Sequence, residues 1–427
     1  MKISISGIRG VYGTDFFPQD VIRFCDGFSK LIKNGKCVIG RDTRTTGEMI
    51  EKLVSATLLE KGIDVQILGV TPTPVVFRKA RELGAGIVIT SSHNPLEWNG
   101  LKFIIEGRGI TEKELEVVKN ERNTNRPKLG KESVGISNYV SDAVEVIGKL
   151  EQEKYVTVDI GGGSAKCVAP ELLKEIGCQV TTINDELGTC TRGPDPTADE
   201  LTELISKTKQ VGFAFDLDSD RMILVMNGKK KSSDITLGLG VVKAIKLGIK
   251  KFVLSLDSSI AVEKYITNHG GKVWRSKVGE ANVIQKMIEN DAEAGGEGSS
   301  GGFILKKFNM CRDGLLTSGL IASMIGDETI QNDIEFFESF FQIRDKISVE
   351  SNLHDRLISE IAERLGTKYE INQLDGIKIE INENTWSLIR KSNTEDIIRI
   401  STESNDKQLL EKVQKEMIEI VNDCHEQ

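Results

Sequence analysis

Short β-branched apolar runs alternate with longer amphipathic stretches over most of this 427-residue chain. The runs at 37–40, 64–68 and 86–89 read as strands, and the stretches at 46–60 and 73–83 read as helices. Met49, Leu53, Ala56 and Leu59 fall near one face of the first helix, the spacing of an amphipathic helix. The alternation returns as strands at 155–159, 179–183 and 211–215 with helices at 168–176 and 198–206. It returns again as strands at 251–255 and 272–274 with helices at 237–247, 261–268 and 281–288. Alternating strand and helix predicts α/β domains with mostly parallel sheets covered on both faces. Three blocks of about 100 residues predict three related α/β domains.

The rhythm then changes. A helix at 353–365, strands at 377–381, 386–389 and 397–400, and a helix at 407–422 predict a C-terminal α+β domain. Polar or glycine-rich breaks at 120–131, 228–234 and 326–333 mark the divisions. The expected domains are 1–130, 131–230, 231–335 and 336–427.

Composition narrows the classes. A net charge of −8 and a pI of about 5.4 argue against nucleic-acid binding by bulk electrostatics. No apolar stretch is long enough to span a bilayer, and the amino terminus has no signal-peptide core. The seven cysteines are scattered without a Cys-x-x-Cys, as expected of reduced thiols in a cytoplasmic protein. Four histidines (93, 269, 354 and 425), none paired at zinc spacing, make a His-based metal site unexpected.

The candidate chemistry sits where strands end. Thr90-Ser91-Ser92-His93-Asn94-Pro95 follows the run 86–89 and presents two hydroxyls beside an imidazole. Loops at the carboxyl ends of parallel strands gather ligands, and a hydroxyl there can carry a transferable group. An ordinary turn would use similar residues. Asp216-Leu217-Asp218-Ser219-Asp220-Arg221 follows the run 211–215. Three carboxylates at spacing two can converge on one hard divalent cation, and Arg221 suits a phosphate. A solvated acidic turn is the alternative. An EF-hand is disfavoured, because Asn227 stands where that loop needs its Glu. A glycosyltransferase Asp-x-Asp leaves the third Asp and the Arg unexplained.

Gly295-Gly296-Glu297-Gly298-Ser299-Ser300-Gly301-Gly302 is glycine-rich but is neither a P-loop nor a dinucleotide fingerprint. Its Glu suits a pair of sugar hydroxyls; a mobile linker is the alternative. Arg390-Lys391-Ser392-Asn393-Thr394-Glu395, with Arg399 on the next strand, could make an anion nest or a polar hairpin loop. Arg9 lies between glycines near the start, and Asn99-Gly100-Leu101-Lys102 reads as a tight turn presenting Lys102.

Taken in order, these segments resemble the α-D-phosphohexomutases, the phosphoglucomutase and phosphomannomutase superfamily. The matching stretches are 6–10, 38–47, 69–74, 90–102, 216–221, 277–279, 295–302, 312–314 and 390–395, essentially the whole chain. The resemblance implies three related α/β domains and a different fourth domain round a central cleft. It implies that Ser92 carries the phosphoryl group, with Asp216, Asp218 and Asp220 as magnesium ligands joined by an oxygen of the Ser92 phosphate. It places Arg9, His93, Lys102 and Arg221 near the transferring phosphate, with Lys102 moving the proton. Lys277, Glu297 and Ser299 would meet the sugar; Arg390, Ser392, Asn393, Thr394 and Arg399 would hold the non-reacting phosphate.

The implied reaction interconverts sugar 6- and 1-phosphates through phosphoserine and a sugar 1,6-bisphosphate, in a monomer or homodimer. Length and sugar loop favour glucosamine phosphate, with mannose or glucose phosphate as the alternative and a non-catalytic sugar-phosphate sensor more remote. The sugar loop lacks the histidine common in the family, Ser91 replaces a usual Ala, and Asp396 replaces a common Pro.

Overall fold

The computed structural model describes residues 1–124, 128–392 and 396–426. Four sheets follow one another along the chain. In the first, Lys36–Arg41, Asp64–Val70 and Ala85–Ile89 run parallel, and Trp98–Ile105 returns antiparallel to Ala85–Ile89. Every residue of Ala85–Ile89 is buried, which is why this strand reads as a continuous apolar run instead of alternating. The helix before it, Thr73–Leu83, starts with Pro74 in its first turn and stops at Gly84, whose φ of 94° suits glycine.

The second and third sheets repeat this plan. Lys154–Asp159, Cys178–Ile183 and Val211–Phe215 are parallel, and Met222–Met226 turns back against Val211–Phe215. Lys251–Ser255, Lys272–Ser276 and Ala294–Glu297 are parallel, and Gly302–Leu305 turns back against Ala294–Glu297. In all three sheets the chemistry-bearing loop is therefore the same one. It joins a buried parallel strand to the antiparallel strand that follows.

The fourth sheet is wholly antiparallel, in the order Phe341–Ser348, Ile397–Ser404, Thr385–Lys391, Ile377–Asn382, Ile371–Asn372. Helices His354–Gly366 and Lys407–His425 cover one face through Leu357, Ile361, Val413 and Met417. The largest apolar core runs continuously between the second and third sheets, including Val156, Phe213, Leu237, Phe252 and Leu316. Among the described residues no helix is long and apolar enough to cross a membrane.

Several expectations are corrected. Asn99-Gly100-Leu101-Lys102 is no turn but part of strand Trp98–Ile105. Gly100 is there because a Cβ would lie 2.2 Å from the carbonyl oxygen of Ile8 on the neighbouring strand. The polar segment from 120 ends in strand Glu132–Val134, which joins the first sheet beside Asp64–Val70; residues 125–127 lie outside the described residues. The helix expected at 198–206 shrinks to Thr202–Lys207, since Asp199 accepts the Leu201 N–H at 2.6 Å and Leu201 takes a φ of 54°. The break at 228–234 is a hairpin running into helix Ser233–Lys246, and that at 326–333 runs into helix Ile330–Glu338.

Candidate active site

The serine loop is built around Arg44. Its guanidinium donates to the carbonyls of Ser92 and Asn94, each at 2.7 Å, of Trp98 at 2.9 Å, and of Pro95. Asp42 fixes it from behind, and Thr90 donates to the same Asp42 carboxylate at 2.6 Å while accepting the Ser92 N–H at 2.8 Å. Ser92 is fully buried and held at φ 52°, a left-handed conformation that a non-glycine residue adopts at a cost. Its hydroxyl donates to Asp216 Oδ2 at 2.9 Å. Ser91 points elsewhere and accepts from Asn94 Nδ2 at 3.0 Å. The geometry therefore presents Ser92, not Ser91, to the aspartates.

His93 Nδ1 lies 3.4 Å from Ser92 Oγ. Burial, then the Arg221 and Arg9 guanidinia, push the imidazole far below its ordinary pKa, so the ring is neutral. Arg9 faces Asp218 and Asp220.

Asp216, Asp218 and Asp220 are buried and can offer oxygens within 4.8 Å of one another. Their surroundings are uneven. Burial works to raise all three; for Asp216 the neighbouring aspartates add to it and the carboxyl is pushed well up. For Asp220 the Arg312 and Lys102 cations outweigh burial and hold the carboxylate well down. Lys102 reaches Asp218 Oδ2 at 2.9 Å and Asp220 Oδ2 at 2.8 Å, and these partners overcome burial to keep its ammonium charged. Thr73 donates to Asp218 Oδ2 at 2.6 Å and ties the loop to the first sheet. The remaining oxygens, Asp218 Oδ1 and Asp220 Oδ1, are buried and have no hydrogen-bond partner among the described residues. Orphaned carboxylate oxygens beside a third carboxylate are the donor set of a hard divalent cation, and the loop fits one.

The glycine-rich segment is a tight, packed hairpin and not a mobile linker. A Cβ on Gly296 would lie 2.3 Å from the Gly302 carbonyl oxygen, and one on Gly298 would lie 1.9 Å from Asp234 Oδ1. Glu297 accepts from Gly279 N–H at 2.7 Å and from Arg312 at 3.0 Å. Burial raises its pKa against the pull of Arg312. Ser299 hydrogen-bonds Asp257, which also faces Arg390 and Arg344. Lys277 is exposed at the mouth of a cavity of about 520 Å³ shared with Lys102 and Glu280.

On the fourth sheet Arg390 lies directly opposite Arg399, and Arg399 directly opposite Lys346. Asp257 faces Arg390, and a row of like charges on one face also suits a bound anion. Trp386 and Leu388, on the same face as Arg390, pack against Leu256, just past strand Lys251–Ser255 of the third sheet, so this cationic row faces the other domains. Ser392 is buried at the end of the row, and Asn393 and Thr394 lie outside the described residues.

The structure thus gathers Ser92, His93, Lys102, Arg9, Asp216, Asp218, Asp220 and Arg221 at one centre. Glu297 joins through Arg312, which donates to Asp220 at 2.8 Å. Residues 41–44 and 312–314 carried only a resemblance in sequence. Arg44, Thr73, Glu280, Arg312 and Lys346 act through partners far along the chain, and the sequence assigned none of them a role.

Three models describing phosphoglucomutase/phosphomannomutase match the chain: α/β/α domain I over residues 1–128, α/β/α domain III over 234–339, and the C-terminal domain over 349–420. A probable phosphoglucosamine mutase from Methanosphaera stadtmanae is 34% identical, covering 98% of this chain and 97% of its own. A phosphoglucosamine mutase from Methanococcus maripaludis is 32% identical over 98% of both chains. A solved phosphoglucomutase/phosphomannomutase family protein from Burkholderia thailandensis superposes with a TM-score of 0.85 at 22% identity, covering 99% of this chain and 98% of its own.

Proposed function

The chain belongs to the phosphoglucomutase/phosphomannomutase family, and from that premise we propose that Ser92 carries the phosphoryl group of a glucosamine-phosphate mutase. It is a sugar-phosphate mutase, an isomerase. The single observation carrying the assignment to Ser92 is its buried hydroxyl, aimed at Asp216 at 2.9 Å and held by a strained, fully pinned loop. Relatives named phosphoglucosamine mutase over nearly the full length support glucosamine 6-phosphate and 1-phosphate as the sugars.

Phosphorylated Ser92 gives its phosphoryl group to the free hydroxyl of a bound sugar monophosphate. The sugar oxygen bonds phosphorus as the Ser92 Oγ–P bond breaks, and the hydroxyl proton ends on the Ser92 oxygen. Lys102, charged between Asp218 and Asp220, can give a proton to the departing Ser92 oxygen, take the sugar hydroxyl's proton in its place, and stabilise the transferring oxygens. Arg9 and Arg221 add positive charge, and neutral His93 can donate one hydrogen bond without adding to it. A magnesium ion on Asp216, Asp218 and Asp220 would neutralise charge on the transferring phosphoryl group. The row Lys346, Arg399, Arg390 grips the other phosphate, and that remote contact supplies positioning energy. The resulting sugar 1,6-bisphosphate turns over, presents its other phosphate to Ser92, and also serves to prime the enzyme.

The test is a coupled mutase assay with magnesium and catalytic sugar 1,6-bisphosphate. It compares kcat/KM for glucosamine 6-phosphate, mannose 1-phosphate and glucose 1-phosphate. Glucosamine phosphate leads on this reading. A lead for a hexose phosphate keeps the chemistry and changes the sugar; binding without turnover of any of them would make the protein a sensor.

A further inference from the structure

Arg312 holds more negative charge than it neutralises. Its backbone N–H and Nε both donate to Glu280 Oε2, at 2.9 and 3.2 Å. Its terminal nitrogens take Glu297 at 3.0 Å and Asp220 at 2.8 Å. Asp220 also shares Lys102 with Asp218. Asp218 and Asp220 also have Arg9, and Asp220 has Arg221, whereas Glu280 and Glu297 share Arg312 with Asp220. A divalent cation on the aspartate loop relieves the aspartate side only.

The two glutamates differ in what they have left to offer. Both oxygens of Glu297 are engaged, by Gly279 and by Arg312. At Glu280 both Arg312 bonds fall on Oε2, and among the described residues Oε1 has no hydrogen bond. No ion pair other than that with Arg312 involves Glu280 among the described residues. Glu280 lines the cavity of about 520 Å³ that Lys102, Lys277, Asn282 and Gln285 also line.

Position argues in the same direction. Lys102 marks where the reacting sugar oxygen must lie, and Glu297 marks the sugar loop. When a hexose 6-phosphate presents its C1 hydroxyl to Ser92, C2 is the carbon between the reacting C1 and the ring hydroxyls at C3 and C4. Glu280 shares Arg312 with Glu297 and acts electrostatically on Lys102, so it neighbours both marks.

We propose that Glu280 is a specificity-determining residue that takes the C2 ammonium of a 2-amino-sugar 6-phosphate. This rests on the glucosamine reading above and names the group that would make it selective. An ammonium on a carboxylate forms a charge-assisted bond, whereas a C2 hydroxyl gives only a neutral donor and an N-acetyl group loses the charge. A purely structural role would also suit Glu280, since a carboxylate in the first turn of helix Glu280–Glu289 favours the helix dipole and steadies Arg312.

The variant Glu280→Gln separates the two roles, because its amide oxygen can still accept from Arg312 while the charge is gone. The readout is kcat/KM for glucosamine 6-phosphate, glucose 6-phosphate and N-acetylglucosamine 6-phosphate, in wild type and variant. Wild type prefers glucosamine 6-phosphate. The variant loses about tenfold on glucosamine 6-phosphate and less than about threefold on glucose 6-phosphate. Equal losses on all three, or an unchanged ratio, would overturn the role of Glu280 and leave the glucosamine reading standing. Wild-type indifference to the amino group would overturn both. Glu280→Asp, which keeps the charge but draws it back by one methylene, covers the case in which the Gln variant does not fold. Its selectivity falls part of the way, and an unaltered ratio there also counts against the proposal.

Discussion

Arg44 donates to the backbone carbonyl of Ser92 at 2.7 Å, although 47 residues separate them in the sequence. The same side chain reaches the carbonyls of Asn94, Pro95 and Trp98, so one guanidinium closes the whole serine loop. A left-handed serine costs on the order of 1–3 kcal/mol, and it persists only where the surroundings over-determine it. The loop's aim at Asp216 therefore depends on Arg44.

Replacing Arg44 by Lys leaves one ammonium where a rigid fork served four carbonyls. Stability falls by roughly 1–3 kcal/mol, the cost of leaving buried carbonyls unsatisfied. The same variant loses about a hundredfold in kcat with KM changed only a few-fold, because misplacing the nucleophile costs the chemical step. Thermal melting and steady-state kinetics check the two halves; a lower melting temperature with kcat intact would show that Arg44 is only a brace.

The row of cations on the fourth sheet predicts anion binding without turnover. Arg399→Met removes the middle charge between Lys346 and Arg390. Inorganic phosphate then raises the melting temperature of the wild-type protein but not of the variant, and KM for sugar phosphate rises about tenfold with a smaller effect on kcat. Equal phosphate protection of both proteins would place the non-reacting phosphate elsewhere.

Lys378 makes stability depend on pH above neutrality. Its ammonium is buried over the Trp386 ring, 4.4 Å from the centroid, with the Leu256 carbonyl at 3.2 Å. Burial, assisted by Arg275, pushes its pKa down to about 7 despite Glu263, Glu403 and Glu380. Between about pH 7 and the ordinary value of 10.5 the unfolded chain keeps a proton that the folded chain has released, so stability rises with pH through that window. Below it both states are protonated and the full cost of burying the charge is present. Lys378→Met accordingly raises the melting temperature most near pH 6 and progressively less toward pH 10. A gain independent of pH, or a loss at pH 6, would contradict this.

The sequence carried the frame because strands that end in chemistry are apolar and short. Ala85–Ile89 and Val211–Phe215 are buried on both faces, and the polar loops after them stand out against such runs. It failed where a residue's meaning is tertiary. Asn99-Gly100 has turn chemistry, yet it lies mid-strand because the neighbouring strand approaches too closely for any side chain at Gly100. Glycines 295–302 suggest mobility, but they are glycines because Asp234, Arg312 and their own hairpin partner leave no room for a Cβ. Arg44 and Arg312 fall in segments that the sequence marked only by resemblance, without a role, and only folding reveals the four carbonyls round one and the three carboxylates round the other.

The measurement that bears most directly on the account is the phosphorylation state of Ser92. The protein is incubated with magnesium and a sugar 1,6-bisphosphate, digested, and its 90–102 region sequenced by mass spectrometry, alongside Ser92→Ala and Ser91→Ala. One phosphoryl group is expected on Ser92 in the wild-type protein and in Ser91→Ala, and none in an inactive Ser92→Ala. A phosphoryl group on Ser91, or mutase activity surviving in Ser92→Ala, would contradict this.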